Sequence, residues 1–232
     1  MRSTDLPQVR ALPLFESMAE ANFGQLMQAA YLQVLPAQIE LIREGEPADF
    51  LYVVIEGCVE LYARWNSHET VLEVVRPLGS FILAAVLRDA VYLKSGRTGQ
   101  RSKLLLVPAE NVREAFRADG AFARAIVEEL ARCYRDVVRQ QKDLKLRSAV
   151  ERLANSLLAF DGEQGASGCI DLPYDKRTLA SLLGMTPENL SRAFNTLKAC
   201  GVEVDGARIR LTDMASLERL AKPTPLIDDA AV

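Results

Sequence analysis

Short apolar runs separated by turn residues dominate residues 32–108. The turns carry glycine or proline, as in Glu44-Gly45-Glu46-Pro47 and Arg76-Pro77-Leu78-Gly79. Many short strands at even spacing are typical of a β-sandwich or a rolled barrel. The apolar runs are Phe50–Ile55, Val59–Ala63, Val71–Val75, Phe81–Leu87 and Lys103–Val107. Two short helices are predicted before this region, near Asp5–Leu12 and Ala19–Ala30.

A long helix is predicted next, from about Ala121 to Lys145, because this stretch contains neither glycine nor proline. Apolar residues and one glutamine recur there at intervals of three and four, the period of a coiled-coil seam. The seam consists of Val127, Leu130, Tyr134, Val137, Gln141 and Leu144, with Cys133 beside it. Such a stripe can also pack on the chain's own β domain. The charged flanks favour a homodimer interface.

The pattern changes again after residue 174, where it predicts two short helices joined by a tight turn. The first helix runs from about Lys176 to Leu183 and ends at Gly184, since glycine readily adopts the left-handed conformation of a helix C-cap. Thr186 caps the second helix and Pro187 occupies its first position. A polar face opposite a buried one makes this pair a helix-turn-helix.

The second helix buries its apolar residues and directs polar ones outward. Leu190, Phe194 and Leu197 form the buried face at i, i+4 and i+7. An Arg fork fits guanine, a Glu accepts from cytosine, and a Ser bonds several base edges. The candidate DNA-binding residues are Thr186, Glu188, Asn189, Ser191, Arg192 and Asn195. The alternative interpretation is an ordinary helical hairpin with solvated charges.

A β-hairpin is predicted after the second helix. Val202–Val204 and Ala207–Leu211 flank Asp205-Gly206, a pair typical of a type I′ turn. Arg208 and Arg210 alternate with apolar residues, so one face packs and the other is basic. A basic face suits a wing lying on a phosphate backbone. The two arginines could instead serve only solubility.

Length, charge and composition limit the number of domains and the class of protein. The 232 residues suffice for two small domains, and the net charge of −3 argues against a generic polyanion binder. The sequence shows neither a signal peptide nor about 18 consecutive apolar residues, so a cytoplasmic protein outside the membrane is expected. We predict an α+β chain with a sensor domain at 1–118, a dimerisation helix at 119–146, a DNA-binding domain at 147–221 and a flexible tail at 222–232.

Residues that commonly build reactive centres are sparse. The chain has one histidine, and the cysteines show no CxxC-type spacing, so no metal site is predicted and the thiols are expected to be reduced and mostly packed. The sequence shows no glycine-rich phosphate loop and no recognisable carboxylate pair, which argues against an enzyme. The main alternative is a dimeric effector-binding module whose helix-turn-helix contacts protein. The cysteines are Cys58, Cys133, Cys169 and Cys200.

The order of β-roll, long helix, helix-turn-helix and wing resembles the Crp/Fnr family of bacterial transcription regulators over about residues 14–212. The segments that carry the resemblance are residues 43–49, residues 54–61 and, most specifically, residues 184–192, which contain the Glu-x-x-Ser-Arg pattern. The resemblance implies a cyclic-nucleotide-binding-like β-roll, a winged helix-turn-helix, a TTGAT-like half-site and RNA polymerase as a further partner. Arg192 would contact the guanine, Glu188 the opposing bases and Ser191 a thymine.

The sensor region departs from the cyclic-AMP-binding members of that family. Where they carry a ribose-binding Glu, this chain has Ala84, and where they carry a phosphate-binding Arg, it has Leu93 or Lys94. A Lys supplies a point charge but not a bidentate fork. No cysteine precedes Cys58, which departs from the iron–sulfur members. Neither cyclic AMP nor an iron–sulfur cluster is therefore expected.

Residues 81–93 are similar to the NnrR/Dnr-type branch, whose members are thought to use haem, so haem stays an open candidate and the cofactor is otherwise unknown. His68 lies in a polar hairpin and is expected to be solvated. An effector pocket between the β-roll and the long helix is predicted, although its residues could simply be core. Its candidate residues are Phe81, Leu83, Ala84, Val86, Lys94, Leu130 and Tyr134. An effector there would shift the pairing of the two long helices, with a hinge at residues 139–152.

Overall fold

The computed structural model describes residues 6–229, which form two compact units divided between Cys133 and Tyr134. The first unit begins with α1 (Leu6–Arg10) and α2 (Glu20–Ala29). Eight strands follow, interrupted by one helix. They are β1 (Tyr31–Leu35), β2 (Glu40–Ile42), β3 (Phe50–Glu56), β4 (Val59–Trp65), β5 (His68–Val75), β6 (Ser80–Phe81), then α3 (Leu83–Arg88), β7 (Ser95–Thr98) and β8 (Ser102–Pro108). The unit continues with α4 (Ala109–Ala118).

Two antiparallel sheets form the predicted β domain, in the orders β1-β8-β3-β6 and β2-β7-β4-β5. The continuous apolar run of β3 is explained by its position, because residues 51–55 are all buried and neither face meets water. The core gathers side chains from both sheets and from the helices around them.

The run Phe81–Leu87 was predicted with the strands, and this is wrong for most of its length. Only Ser80 and Phe81 are extended, and α3 follows at once. The backbone enters the left-handed region at Ile82, with φ 70°, and again at Asp89, with φ 52°. These two positions end the strand and bound a single short helix, which an apolar run by itself does not reveal.

The long helix α5 spans Gly120–Leu146, so its prediction as a continuous helix is confirmed. Its start is held by Asp119, whose carboxylate accepts from the backbone N–H of Ala121 and Phe122, both at 3.0 Å. The other oxygen accepts from the Ala19 N–H and the Asn22 amide, both at 2.9 Å. A buried carboxylate thus satisfies the free N–H groups of one helix and ties it to the start of α2.

The second unit contains the C-terminal half of α5 and the remaining elements. They are α6 (Ala149–Glu163), β9 (Cys169–Asp171), α7 (Lys176–Leu182), α8 (Pro187–Leu197), a short 3-10 helix (Lys198–Cys200), β10 (Val202–Asp205), β11 (Arg208–Leu211), α9 (Met214–Ala221) and α10 (Pro225–Asp228). A separate core lies beneath α7 and α8. The predicted hairpin is present, but β9 adds a third strand to it, in the order β10-β11-β9. No helix within residues 6–229 is long and apolar enough to cross a membrane.

The chain after residue 222, predicted to be a flexible tail, has defined structure and contacts over residues 223–229. Pro225–Asp228 form a helical turn, and Asp228 bonds to Arg147 from far along the sequence. The acidic, proline-bearing composition that suggested flexibility is offset by this long-range contact. Residues 230–232 lie outside the described part of the chain.

Candidate nucleic-acid interface and sensor region

The helix-turn-helix forms as the local signals predict. Asp175 caps α7 by accepting from the Thr178 N–H at 2.7 Å, and Thr186 caps α8 by accepting from the Asn189 N–H at 3.2 Å. Between them Gly184 has φ +60°, the left-handed conformation that its lack of a Cβ permits. Gly184, Thr186 and Pro187 therefore act as the sequence indicated, whereas the Asp175 cap was not predicted and α7 ends one residue earlier, at Leu182.

The outer face of α8 is polar and exposed, with its apolar residues buried beneath. Glu188, Asn189, Ser191, Arg192 and Asn195 are all exposed. Leu190, Ala193, Phe194 and Leu197 fill the core. Because positions i, i+3 and i+4 share one face of a helix, Glu188, Ser191 and Arg192 present a single surface.

Two of these side chains have a defined state in the free protein. Hydrogen bonds from its own backbone N–H and from the Thr186 hydroxyl lower the pKa of Glu188, so its carboxylate is an acceptor at neutral pH. The Ser191 hydroxyl donates to the Pro187 carbonyl at 3.0 Å. Its proton would have to turn away from the helix to donate to a base, whereas its lone pairs remain available.

Residues outside the recognition helix hold the motif together, and the sequence reasoning did not identify them. Arg152 on α6 donates to the carbonyl oxygens of Leu183 at 2.8 Å and Gly184 at 3.4 Å, and so fixes the turn between α7 and α8 to α6. The Lys176 ammonium lies 5.9 Å from the centre of the Phe194 ring and links α7 to α8. Only the basic character of residues 139–152 gave a signal, and it was interpreted as a hinge.

The wing face carries two arginines and three carboxylates and is not basic, which corrects the prediction. Arg208 pairs with Asp171 at 3.1 Å and Arg210 with Glu203 at 3.3 Å. Strand register places Asp205 on the same face, opposite Arg208. The hairpin pattern showed the two arginines but not the carboxylates that neighbouring strands bring beside them. Arg208 and Arg210 can reach phosphate only by exchanging these exposed partners.

The apolar stripe on α5 is uncovered in the single chain. Val127, Tyr134 and Val137 are 57%, 71% and 59% exposed. Leu130 and Cys133 are half-buried, and Gln141 and Leu144 are exposed. Leu144 also packs on the helix-turn-helix, since a Cβ added to Gly184 would lie 2.5 Å from its Cδ2 atom. Large apolar side chains at seam spacing, facing outward, form a surface suited to a partner helix.

None of the residues predicted to line an effector pocket borders the cavity found in the first unit. Phe81, Leu83 and Val86 are buried in the core, and the Phe81 ring stacks on Tyr52 at 5.0 Å between centroids. Ala84 is exposed. Leu130 packs against the same core, and Tyr134 is exposed on α5.

A cavity of about 560 Å³ lies elsewhere in the first unit, between the β5–β6 turn and the first half of α5. Its lining combines apolar side chains with the charged Glu73, Arg76, Glu128, Glu129 and Arg132. Ser80 donates to Glu129 on α5 at 3.2 Å and so joins the turn to the helix. The cavity is lined by Leu12, Pro13, Leu14, Val53, residues 73–80, Ala125, Glu128, Glu129 and Arg132.

The residues at the cyclic-AMP positions and the lining of this cavity differ from those that would hold cyclic AMP or haem iron. Lys94, at the position of the phosphate partner, is already paired with Glu73 at 2.6 Å, and Ala84 offers no ribose acceptor. The cavity lining includes no His, Cys, Met or Tyr that could be an axial ligand of haem iron. His68 is exposed at the β4–β5 hairpin. Within residues 6–229 no three His, Cys, Asp or Glu side chains cluster as metal ligands do.

None of the four cysteines forms a disulfide among the described residues, and they are less packed than predicted. Cys58, Cys133 and Cys200 are half-buried, and Cys169 is exposed on β9. Desolvation raises the pKa of the Cys58 thiol, so it stays protonated near neutral pH. Cys169 is exposed because it lies at the edge of the wing sheet, in a strand that the sequence analysis did not identify.

Two family descriptions match this chain. Residues 32–119 match the cyclic nucleotide-binding domain, and residues 151–220 match the Crp-like helix-turn-helix domain. The chain is 21% identical over 222 residues to the CRP-like cAMP-activated global transcriptional regulator of Mycobacterium tuberculosis, covering 89% of this chain and 99% of that protein.

Solved structures show the same fold. A regulatory protein from Silicibacter pomeroyi DSS-3 is 28% identical, with a TM-score of 0.60 and coverage of 96% of this chain and 100% of that one. DNR from Pseudomonas aeruginosa is 23% identical, with a TM-score of 0.51 and coverage of 95% and 99%. A cyclic nucleotide-binding β domain, the long helix and a DNA-binding helix-turn-helix occur in one order on one chain, which therefore belongs to the Crp/Fnr family of transcriptional regulators.

Proposed function

We propose that the protein regulates transcription as a homodimer that binds a TTGAT-like palindrome. The observation that carries this proposal is the outer face of α8, where Glu188, Ser191 and Arg192 are exposed on one surface above a packed core. The caps at Asp175 and Thr186 fix the helix ends, so the three side chains are presented from a rigid element.

Each of the three side chains suits a base edge in the major groove. The Arg192 guanidinium is exposed and can form two hydrogen bonds with guanine O6 and N7. The ionised Glu188 carboxylate accepts from an amino group on the opposing strand. The Ser191 oxygen, turned toward the helix, leaves its methylene beside a thymine methyl. Together these contacts support the TTGAT assignment.

A homodimer follows from the stripe on α5. Pairing two copies would cover Val127, Tyr134 and Val137, which water contacts in the single chain. A two-fold axis along the paired helices would present two identical recognition helices. Such a pair reads half-sites about one DNA turn apart, which explains a palindrome. RNA polymerase is the further partner that transcriptional regulation implies.

The signal is proposed to act through the cavity beside α5 rather than through a cyclic nucleotide. The Ser80–Glu129 hydrogen bond joins the end of the β5–β6 turn to the helix that carries the stripe. A bound effector that displaces this bond would favour one packing of the turn over another. The shift in the free energy between the two packings would equal the difference between the effector's binding free energies for them.

Fluorescence anisotropy on a TTGAT-N4-ATCAA duplex tests the DNA assignment, with a scrambled duplex at the same salt. We expect selective binding by the effector-free chain that falls roughly 5- to 150-fold for Arg192→Ala, the range of one bidentate base contact. Arg124→Ala, an exposed arginine in the first unit, is the matched control. Equal binding of both duplexes, or equal loss in both variants, would instead favour a helix-turn-helix that contacts protein.

A further inference from the structure

The C-terminal segment, residues 223–229, folds back onto the junction between α5 and α6, and is here called the strap. Both terminal nitrogens of Arg147 donate to Asp228, each at 2.6 Å, one to each carboxylate oxygen. Arg147 is the residue between the end of α5 and Ser148, the cap of α6. Its side chain is only 7% exposed. The ion pair is therefore bidentate, with the arginine shielded from water and the Asp228 side chain 28% exposed.

Other contacts fix the strap along its length. The Lys142 ammonium on α5 donates to the Leu226 carbonyl at 3.1 Å. The Thr224 N–H donates to Asp228 at 2.7 Å, which closes the strap on itself. Arg147 also bonds Asp143 on α5 at 3.0 Å. The same guanidinium thus joins the strap to the last turn of α5.

The start of the strap is held by α6. The buried Asn155 amide donates to the Ala221 carbonyl at 2.7 Å, and Lys222 pairs with Glu151 at 3.1 Å. Residues 221–228 therefore bridge the first two turns of α6 and the last turns of α5. Because both ends of the bridge are fixed, the angle between the two helices cannot change without breaking it.

The junction is connected directly to the helix-turn-helix. Arg152 donates to the Arg147 carbonyl at 2.7 Å and to the Leu183 carbonyl at 2.8 Å. One residue of α6 thus touches both the strapped junction and the turn between α7 and α8. Leu144, in the last two turns of α5, packs on Gly184 in that turn.

We propose that the strap is a conformational lock that holds the end of α5 at a fixed angle to α6 and so sets the recognition helix in its DNA-binding orientation. The inference rests on the proposed function, since α5 carries the dimer stripe and α8 the base-reading face. A surface tail held by solvated charges would contribute little. The Arg147–Asp228 pair differs from such a tail, because its geometry is bidentate and its arginine is buried between α5 and the strap.

Two variants that disrupt the strap, each with a matched control, test the lock in the whole protein rather than in an isolated domain. A chain ending at Lys222 removes the strap, and a chain ending at Asp229 keeps all of its described contacts. Asp228→Asn removes the charge from the pair, and Glu218→Gln makes the same change on the exposed surface of α9. Amide hydrogen exchange of residues 143–152 reports on the junction, and anisotropy reports on the TTGAT duplex and its scrambled form.

We expect junction exchange to rise at least about tenfold without the strap or with Asp228→Asn, the factor for one charge-assisted hydrogen bond. Operator affinity falls severalfold in the same two variants, because an ordered junction avoids an ordering cost on binding. The chain ending at Asp229 and the Glu218→Gln variant should show the same junction exchange and operator affinity as the unaltered protein. Unchanged exchange overturns the lock, and tighter operator binding overturns its direction. If the full chain shows no operator selectivity, the proposed function fails, while the exchange comparison still decides whether the strap holds the junction.

Discussion

Gly184 is the position where a single methyl group tests the geometry of the helix-turn-helix. Its φ of +60° lies in the left-handed region, where an alanine costs about 1–2 kcal/mol. The added Cβ would also lie 2.5 Å from Leu144 Cδ2, well inside van der Waals contact. That atom ends a flexible, 40% exposed side chain, so it can rotate away at a cost of about 1 kcal/mol. We therefore expect Gly184→Ala to cost about 2–3 kcal/mol.

A series of substitutions separates the two contributions. Gly184→Asn tolerates the left-handed backbone better than alanine does, and Gly184→Val combines a β-branch with the worst backbone fit. The cost should rise from Asn to Ala to Val if backbone strain dominates. Combining Gly184→Ala with Leu144→Ala removes the overlap, so the glycine substitution should then cost about 1 kcal/mol less.

Amide exchange of residues 176–197 is the appropriate assay. It reports the opening free energy of the second unit without requiring that the whole chain unfold in one step. The reasoning would be refuted by an alanine variant as protected as the glycine protein. A cost unaffected by Leu144→Ala would keep the backbone argument but reject the contact between Leu144 and the turn.

Four further outcomes follow from the structure. Arg192→Ala should leave the thermal unfolding temperature nearly unchanged, because this guanidinium is exposed, while operator affinity falls; a large loss of stability would contradict its external position. Asp119→Ala should destabilise the first unit by about 2–4 kcal/mol in a urea titration, since four hydrogen bonds lose their acceptor, and a cost below 1 kcal/mol would argue against that hub. Hydrogen bonds from the Ser148 N–H and hydroxyl lower the pKa of Glu151 to about 2. The stability that the α6 cap contributes is therefore fully present above about pH 4.5 and is lost as pH falls toward 2. Amide exchange of α6 should reveal this pH-dependent loss of protection in the native chain but not in Glu151→Gln. Cyclic AMP at millimolar concentration should not shift the unfolding temperature, because Lys94 is paired with Glu73 and Ala84 offers no ribose acceptor; a shift of several degrees would show that the site accepts it.

The pH dependence of the strap has the same sign as that of the α6 cap. Burial opposes the charge on Asp228, but the bonds from Arg147 and the Thr224 N–H outweigh it and lower the pKa of the carboxyl. The pair therefore contributes its full stability above the unfolded pKa of an aspartate, about 3.9, and loses it as pH falls through the lower folded value. Strap release by acid and cap loss at Glu151 would both open the α5–α6 junction.

Local rules in the sequence determined the helix-turn-helix and the long helix. Thr186, Pro187 and Gly184 act on the backbone beside them, and the spacing of Leu190, Phe194 and Leu197 needs only the period of a helix. The same rules could have identified α6, whose capping box pairs Ser148 with Glu151 three residues later. Such signals are readable because cause and effect lie within one turn of the chain.

The tertiary structure alone decided which of these residues have partners. Arg208 and Asp171 are 37 positions apart, and Arg147 and Asp228 are 81 apart, so neither pairing leaves a periodic trace in the sequence. Because of those contacts the wing face is not basic, and residues 223–229 are fixed to the α5–α6 junction. The sequence also could not assign Phe81, because an apolar residue in a core and one lining a pocket give the same sequence pattern. Whether space remains beside it depends on how both sheets pack.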